Sequence, residues 1–136
     1  MIIADTSGLL ALFNRREPAH EAVAAVVEAE TDPLVVSPYV VAELDYLAAT
    51  RLGADAELAI LAELSGGAYI LAGTSVDDLT VAARIIERYR SWQVGLADAS
   101  LVVLADRHRT RSILTLDHRH FDVLRPLGGG RFRVLP

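Results

Sequence analysis

The chain has 136 residues, of which 52% are hydrophobic, and it carries a formal net charge of −5 with no cysteine. This length suits one domain around one core, so we expect residues 1–136 to fold as a single unit. The lack of cysteine excludes disulfides, thiol nucleophiles and thiolate metal sites, and no apolar run reaches the roughly 18 residues of a membrane span, so we expect a soluble cytoplasmic protein without a membrane partner.

Hydrophobic periodicity predicts strands that alternate with helices along the chain. In chain order these are a strand at 2–4, a helix through Leu9 and Phe13, a helix from Pro18 to about Glu30, a strand at 34–36, a helix from Pro38 to about Gly53, a helix at 55–64, a strand at 69–71, a helix from Ser75 to Arg90, a helix from Asp98 to about Arg109, a strand at 113–116, a loop or helical turn at 117–123 and an edge strand at 132–135. The order predicts an α/β fold, a three-layer sandwich in which a parallel sheet of four or five strands is flanked by helices.

Polar residues at the predicted helix starts indicate how those helices are capped. The hydroxyls of Thr6 and Ser7 are predicted to cap the first helix. Ser75 followed three residues later by Asp78 predicts a capping box.

Four carboxylates fall where a predicted strand or helix meets its boundary: Asp5, Glu43, Asp98 and Asp117. The carboxyl ends of parallel strands and the starts of the helices that follow them lie along one edge of a sheet, so we expect these side chains to converge. Carboxylates held together repel one another and need a cation. Oxygen ligands suit Mg²⁺ or Mn²⁺ and offer nothing soft for zinc or copper(I).

Each boundary acid also has a simpler structural explanation. Asp5 and Asp98 are good helix caps, and Asp117 is a common type of turn residue. A helical Asp98 would share the apolar face of Leu101 and Val102, where an unpaired carboxylate is costly, so a metal is favoured there.

The acid on the third predicted helix is ambiguous from periodicity alone. The apolar stripe of that helix is flanked by Glu43 on one side and by Asp45 on the other. Either carboxylate is therefore a candidate at this point.

The charge is divided unevenly along the chain. Residues 1–64 contain eleven acids and three arginines, a net charge of −8, whereas residues 65–136 contain seven acids and ten arginines, a net charge of +3. Arginines of the basic half either solvate helix surfaces or form a phosphate-facing rim. The candidates for the rim are Arg84, Arg88, Arg107 and Arg119.

The residue types that are missing exclude several common α/β chemistries. The chain has no lysine, which excludes phosphate-binding P-loops and the phosphatases and receiver domains that rely on a lysine. No Gly-x-Gly-x-x-Gly follows the first strand, and Gly-x-Ser-x-Gly is absent, so neither a dinucleotide site nor a hydrolase elbow is expected.

Four short motifs together resemble those of PIN-domain ribonucleases, most closely the VapC-type toxins of toxin-antitoxin pairs. The motifs are IIADTS at 2–7, VAEL at 41–44, GLADA at 95–99 and TLDHRHF at 115–121. The resemblance covers the whole chain. It implies a metal-dependent endoribonuclease that cleaves structured RNA such as tRNA or rRNA with a metal-activated water. The rival interpretations are a catalytically idle PIN fold that serves as an interaction module and a metal-dependent DNA nuclease or phosphatase.

The resemblance also assigns roles to residues. It selects Glu43 over Asp45 and implies four catalytic acids, Asp5, Glu43, Asp98 and Asp117. Of these, Asp5, Asp98 and Asp117 are implied to bind Mg²⁺ or Mn²⁺, with Ser7 and Thr115 as assisting hydroxyls.

Partners follow from the same resemblance. It implies a cognate antitoxin, an RNA substrate and a homodimer. An apolar groove on the early helices would receive the antitoxin, and its candidate residues are Phe13, Val23, Val27, Tyr46 and Leu47.

Overall fold

Five parallel strands form one sheet in the computed structural model, which describes residues 1–136. The strands are β1 (Ile3–Ala4), β2 (Leu34–Val36), β3 (Tyr69–Leu71), β4 (Ser112–Leu114) and β5 (Arg133–Leu135). They lie in the order β3-β2-β1-β4-β5, and every neighbouring pair is parallel. The predicted parallel α/β sheet is confirmed.

Seven α-helices connect and flank the strands. They are α1 (Thr6–Phe13), α2 (His20–Ala29), α3 (Pro38–Arg51), α4 (Ala54–Ser65), α5 (Val76–Arg88), α6 (Leu96–Arg107) and α7 (His118–Phe121), with a 3₁₀ turn at Arg90–Trp92. The predicted order is therefore right, although α6 begins two residues before Asp98 and β4 ends before Thr115. No helix combines the length and the apolar character that crossing a bilayer requires.

The core lies against both faces of the central strands. All residues of β1 and β2 are buried, which explains why they are continuous apolar runs and not alternating sequences. Helix α6 is buried from Ala99 through Ala105 and contacts α5, α3 and β1. Its position fixes the start of α6, and with it Asp98, beside the end of β1.

The strand order reverses direction between β1 and β4. The chain runs outward from β1 to β3 and then returns to the other side of β1, so β1 and β4 are neighbours although about 110 residues separate them. Clefts at such switch points, at the carboxyl ends of the strands, are the usual ligand sites of open α/β sheets. The ends of β1 and β4 carry Asp5 and Thr115.

Gly8 allows α1 to lie close against β4. A Cβ at this position would stand 2.6 Å from the carbonyl oxygen of Leu114, which is far inside van der Waals contact with backbone that cannot swing away. A glycine is needed here for the close approach. This contact brings the first turn of α1 to the end of β4.

Only one of the two predicted helix caps forms. Ser75 Oγ accepts from the N–H of Asp78 at 3.1 Å, and Asp78 Oδ2 accepts from the N–H of Ser75 at 2.8 Å, so the capping box is confirmed. The prediction that Thr6 and Ser7 cap α1 is wrong. Thr6 Oγ1 has no hydrogen-bond partner, and the hydroxyl of Ser7 is used by Asp5 and by the start of the segment after β4.

Candidate active site

A cavity of about 440 Å³ opens at the carboxyl edge of β1 and β4. Its lining contains all four of the predicted acids. The lining residues are Asp5, Thr6, Ser7, Leu10, Glu43, Leu47, Arg51, Gly95, Leu96, Ala97, Asp98, Asp117 and His120. Acids from four separate segments therefore converge, as the predicted topology requires.

Asp5 is held by two hydroxyls at the bottom of the cavity. Its carboxylate is only 6% exposed, and Oδ2 accepts from Ser7 Oγ at 2.9 Å and from Thr115 Oγ1 at 2.7 Å. The same hydroxyl oxygens accept the backbone N–H groups of Leu116 and Asp117, both at 2.9 Å. Each hydroxyl proton is thereby directed to Asp5 Oδ2. The carboxylate makes no capping bond to α1, so Asp5 does not act as a side-chain cap.

Asp98 both supports the start of its helix and faces the cavity. As the third residue of α6 it accepts the N–H of Gly95 on Oδ2 at 3.2 Å. The pKa of Asp98 is raised to about 6, chiefly by burial and also by the negative charges of Asp5 and Asp117, while the Gly95 bond and His120 act in the opposite direction. The carboxylate thus lacks enough positive charge around it, which is the condition that a bound cation relieves.

Of the two candidate acids on α3, Glu43 lines the cavity and Asp45 does not. Glu43 lines the cavity together with Leu47 and Arg51, which follow it by four and eight residues and share its helix face. Asp45 instead contacts Glu57 of α4, and a hydrogen bond between these two carboxyls is the main cause that raises the pKa of Glu57.

Asp117 and His120 both line the cavity and contact each other. Asp117 Oδ1 accepts the N–H of His120 at 3.2 Å and so caps α7, as the turn interpretation of this residue expects. Its Oδ2 lies 3.0 Å from His120 Nδ1, and Asp98 Oδ2 lies 3.3 Å from the same nitrogen. Sequence reasoning did not select His120, although its position three residues after Asp117 on a helical turn was an available signal.

The predicted phosphate-facing arginines do not line the cavity. Arg84, Arg88 and Arg119 are exposed outside its lining. Arg107 donates to the carbonyl oxygen of Gly73 at 3.0 Å and to Asp78 at 2.5 Å, so its guanidinium has structural partners. The arginine that does line the cavity is Arg51, from the acidic half of the chain. The charge balance of the two halves of the chain did not indicate Arg51, because Arg51 reaches the site through its position on a helix face.

Comparison with known proteins now decides the family. Residues 2–125 match the PIN domain. The chain belongs to the PIN domain family. It is 60% identical over 135 residues to Ribonuclease VapC26 of Mycobacterium tuberculosis, an alignment that spans 99% of this chain and 100% of that protein. The predicted likeness to VapC-type PIN-domain ribonucleases is confirmed.

Two crystal structures share the PIN fold of this chain. VapC20 of M. tuberculosis, described as a sarcin-ricin loop cleaving toxin, superimposes with a TM-score of 0.86 over 100% of both chains at 19% identity. FitAcB from Neisseria gonorrhoeae gives a TM-score of 0.55 over 81% of this chain and 84% of that one, also at 19% identity. At these identities the likeness establishes the fold alone.

The cavity of this PIN domain has the donor set for a hard divalent ion. Carboxylate oxygens converge in it, Asp98 is short of positive charge, and the buried Nδ1 of His120 has no hydrogen-bond partner. In the structure as it stands, no three acidic or histidine side chains are arranged so that they could hold a metal ion together. A divalent ion would neutralise the repulsion among these carboxylates and so would allow them to approach one another.

Proposed function

We propose that this PIN domain is a metal-dependent endoribonuclease of the VapC type, the cytoplasmic toxin of a toxin-antitoxin pair, and that it hydrolyses structured RNA. The observation that carries the proposal is the convergence of Asp5, Glu43, Asp98 and Asp117 on one cavity at the switch point of the sheet. The 60% identity to Ribonuclease VapC26 supports RNA as the substrate, and metal dependence is general among PIN-domain VapC ribonucleases. A structured rRNA or tRNA is the proposed class of target, as the resemblance to VapC-type toxins implies.

The acids divide the work between ion binding and proton transfer. Asp5, Asp98 and Asp117 would hold Mg²⁺ or Mn²⁺, which lowers the pKa of a bound water and neutralises charge on the attacked phosphate. Ser7 and Thr115 orient Asp5 by donating to its Oδ2. Glu43, exposed at the rim, is placed to accept the proton of the attacking water. Attack by water leaves a 5′-phosphate and a 3′-hydroxyl.

RNA and DNA oligomers of matched sequence provide the decisive assay. With Mg²⁺ or Mn²⁺ we expect the RNA to be cut and the DNA to remain whole, and EDTA should remove the activity completely because the proposed hydrolysis depends on a bound divalent ion. Equal cleavage of DNA would instead make the protein a general nuclease. If a folded sample cuts neither oligomer under any metal, the chain is an interaction module.

Arg51 is the cation best placed to contact the substrate. It lines the cavity two helical turns after Glu43, and no carboxylate lies within 4.0 Å of its guanidinium as an ion-pair partner. A guanidinium beside a metal site binds phosphate oxygens in bidentate fashion. Arg84, Arg88, Arg107 and Arg119 remain predicted contacts for RNA that extends beyond the cavity.

Substitution of Arg51 should therefore weaken RNA binding and leave metal binding intact. We expect Arg51→Ala to raise KM for RNA about tenfold and to reduce the log-log salt slope of binding by about 0.7, the value for one phosphate contact on a single strand. Mn²⁺ affinity, measured by calorimetry, should stay the same. Arg15→Ala is the matched control, because Arg15 is exposed outside the cavity. An unchanged salt slope would show that Arg51 does not contact phosphate.

An apolar groove of about 570 Å³ is the proposed docking site for the antitoxin. Its lining is Leu12, Phe13, Val27, Ala56, Ala59, Ile60, Glu63 and Tyr69. Two of the expected groove residues, Phe13 and Val27, line it. Of the other three, Val23 is fully buried in the core, Leu47 lines the acidic cavity and Tyr46 lies outside the groove. A groove of this composition suits the apolar face of an amphipathic segment.

A separate exposed apolar patch is the proposed homodimer contact. It contains Leu71 at the end of β3 and Val76 and Leu79 at the start of α5, which are 51%, 80% and 44% exposed. Three large apolar side chains left in water beside an edge strand are typical of a covered interface. The proposed dimer buries this patch and leaves both acidic cavities open.

A further inference from the structure

His120 stands between two of the proposed metal-binding acids. Its side chain is only 18% exposed, and Nδ1 lies 3.0 Å from Asp117 Oδ2 and 3.3 Å from Asp98 Oδ2. Its other ring nitrogen, Nε2, lies 2.9 Å from the backbone carbonyl oxygen of Trp92. Both nitrogens are therefore placed by the fold, one towards the cavity and one towards the 3₁₀ turn.

The contact with Trp92 fixes where the imidazole carries its proton. A carbonyl oxygen can only accept, so Nε2 keeps its proton, and the proton that the ring must release before it binds a metal leaves the lone pair on Nδ1. Histidines that bind metals almost always donate their other N–H to a carbonyl or carboxylate in this way. The turn at Arg90–Trp92 thus presents an Nδ1 lone pair to the acidic cavity.

The surroundings of Nδ1 suit an ion better than a hydrogen bond. The atom is buried, and neither nearby carboxylate oxygen meets the geometry of an N–H···O bond, so Nδ1 has no hydrogen-bond partner. Two ligands at right angles on an octahedral ion with bonds of about 2.1 Å stand about 3.0 Å apart. The separations of 3.0 and 3.3 Å from Nδ1 to the two oxygens are close to that spacing.

We infer that His120 Nδ1 is a nitrogen ligand of the divalent ion, beside Asp98 and Asp117, and that the site consequently prefers Mn²⁺ to Mg²⁺. The inference rests on the proposed metal-dependent function. It adds a residue to a ligand set that the sequence predicted to be carboxylate alone. Imidazole suits transition metals, whereas Mg²⁺ favours oxygen ligands and water, so one nitrogen changes which ion the site selects.

Electron spin echo measurements on the Mn²⁺-loaded full chain test the ligand directly. The wild-type protein should show the ¹⁴N coupling of a directly bound imidazole, and labelling its histidines with ¹⁵N should change that coupling. His120→Asn replaces the ring with an amide that can supply an oxygen, so the variant should still bind the ion but lose the coupling. We expect its Mn²⁺ Kd to rise about tenfold and its Mg²⁺ Kd to rise less than about threefold.

His118→Asn is the matched control, because His118 lies on the same short helix and is exposed outside the cavity. It should keep the coupling and both affinities, and thermal melts should show that both variants fold. Should His120→Asn fail to fold, the ¹⁵N-labelled wild-type chain still gives the answer. Bound Mn²⁺ without nitrogen coupling in the wild-type protein, or coupling that survives in His120→Asn, overturns the inference. A wild-type protein that binds no Mn²⁺ or Mg²⁺ overturns the proposed function itself.

Discussion

Asp98→Asn should abolish RNA cleavage while the protein remains folded. The amide still accepts the N–H of Gly95, so the start of α6 is kept, but a neutral oxygen is a poor ligand for a divalent ion in place of a carboxylate. We expect the cleavage rate to fall about 1,000-fold or more, which corresponds to about 4 kcal/mol of lost transition-state stabilisation. A labelled RNA oligomer in saturating Mn²⁺ provides the measurement.

The same substitution should stabilise the metal-free protein above about pH 6. The pKa of Asp98 is raised to about 6 in the folded state, chiefly by burial. Below an unfolded pKa of about 3.9 the carboxyl is protonated in both states and carries no penalty. Between about pH 4 and pH 6 the unfolded state ionises while the folded state stays protonated, so the penalty grows over this range and is complete above pH 6. Partial exposure screens this cost to about 1 to 2 kcal/mol. Urea titrations at pH 4 and pH 7.5 should show the gain only at the higher pH.

Asp77→Asn is the control for both effects, because Asp77 is an exposed acid in the first turn of α5, outside the cavity. It should change neither the cleavage rate nor the pH dependence of stability. A large loss of stability in metal-free Asp98→Asn, equal at both pH values, would contradict the ion-binding role and favour a purely structural one.

The sequence predicted the bounds of an element well where helix-breaking or helix-capping residues stand at its ends. Strand β3 was predicted with its observed bounds because Gly66 and Gly67 break the helix before it and the Ser75 capping box opens the helix after it. The start of α6 was placed too late because Asp is favoured both at the cap and in the first turn. Gly95 occupies the cap position and has no side chain to signal it.

Some residues of the candidate site could be predicted from the sequence and others could not. The acids could, because each lies near a strand end or a helix start, and parallel topology brings such positions together. The orientation of His120 could not be predicted, because it depends on the carbonyl of Trp92, which comes from a turn 28 residues earlier. Arg51 was accessible in principle, since it shares a helix face with Glu43, but only after the structure had shown which face of α3 meets the cavity.

A single charge in the apolar groove should separate toxicity from its neutralisation. Expression of the wild-type chain alone should arrest growth, and co-expression of the antitoxin should restore it. Ala59 is exposed and lines the groove on α4, and it is not among the residues that line the acidic cavity. We expect Ala59→Arg to keep full ribonuclease activity and to arrest growth even in the presence of the antitoxin, because an apolar segment cannot cover a guanidinium, even one paired with Glu63 on the same helix, without a desolvation cost.

Ala62→Arg is the matched control, since Ala62 is an exposed alanine on the same helix that does not line the groove. It should remain fully neutralised by the antitoxin. A double variant, Ala59→Arg with Asp98→Asn, should not arrest growth, because escape from the antitoxin matters only while the acidic cavity can cleave RNA. Growth arrest by the double variant would show that toxicity does not come from nuclease chemistry. Normal neutralisation of Ala59→Arg, with the protein folded and active, would place the antitoxin on another surface.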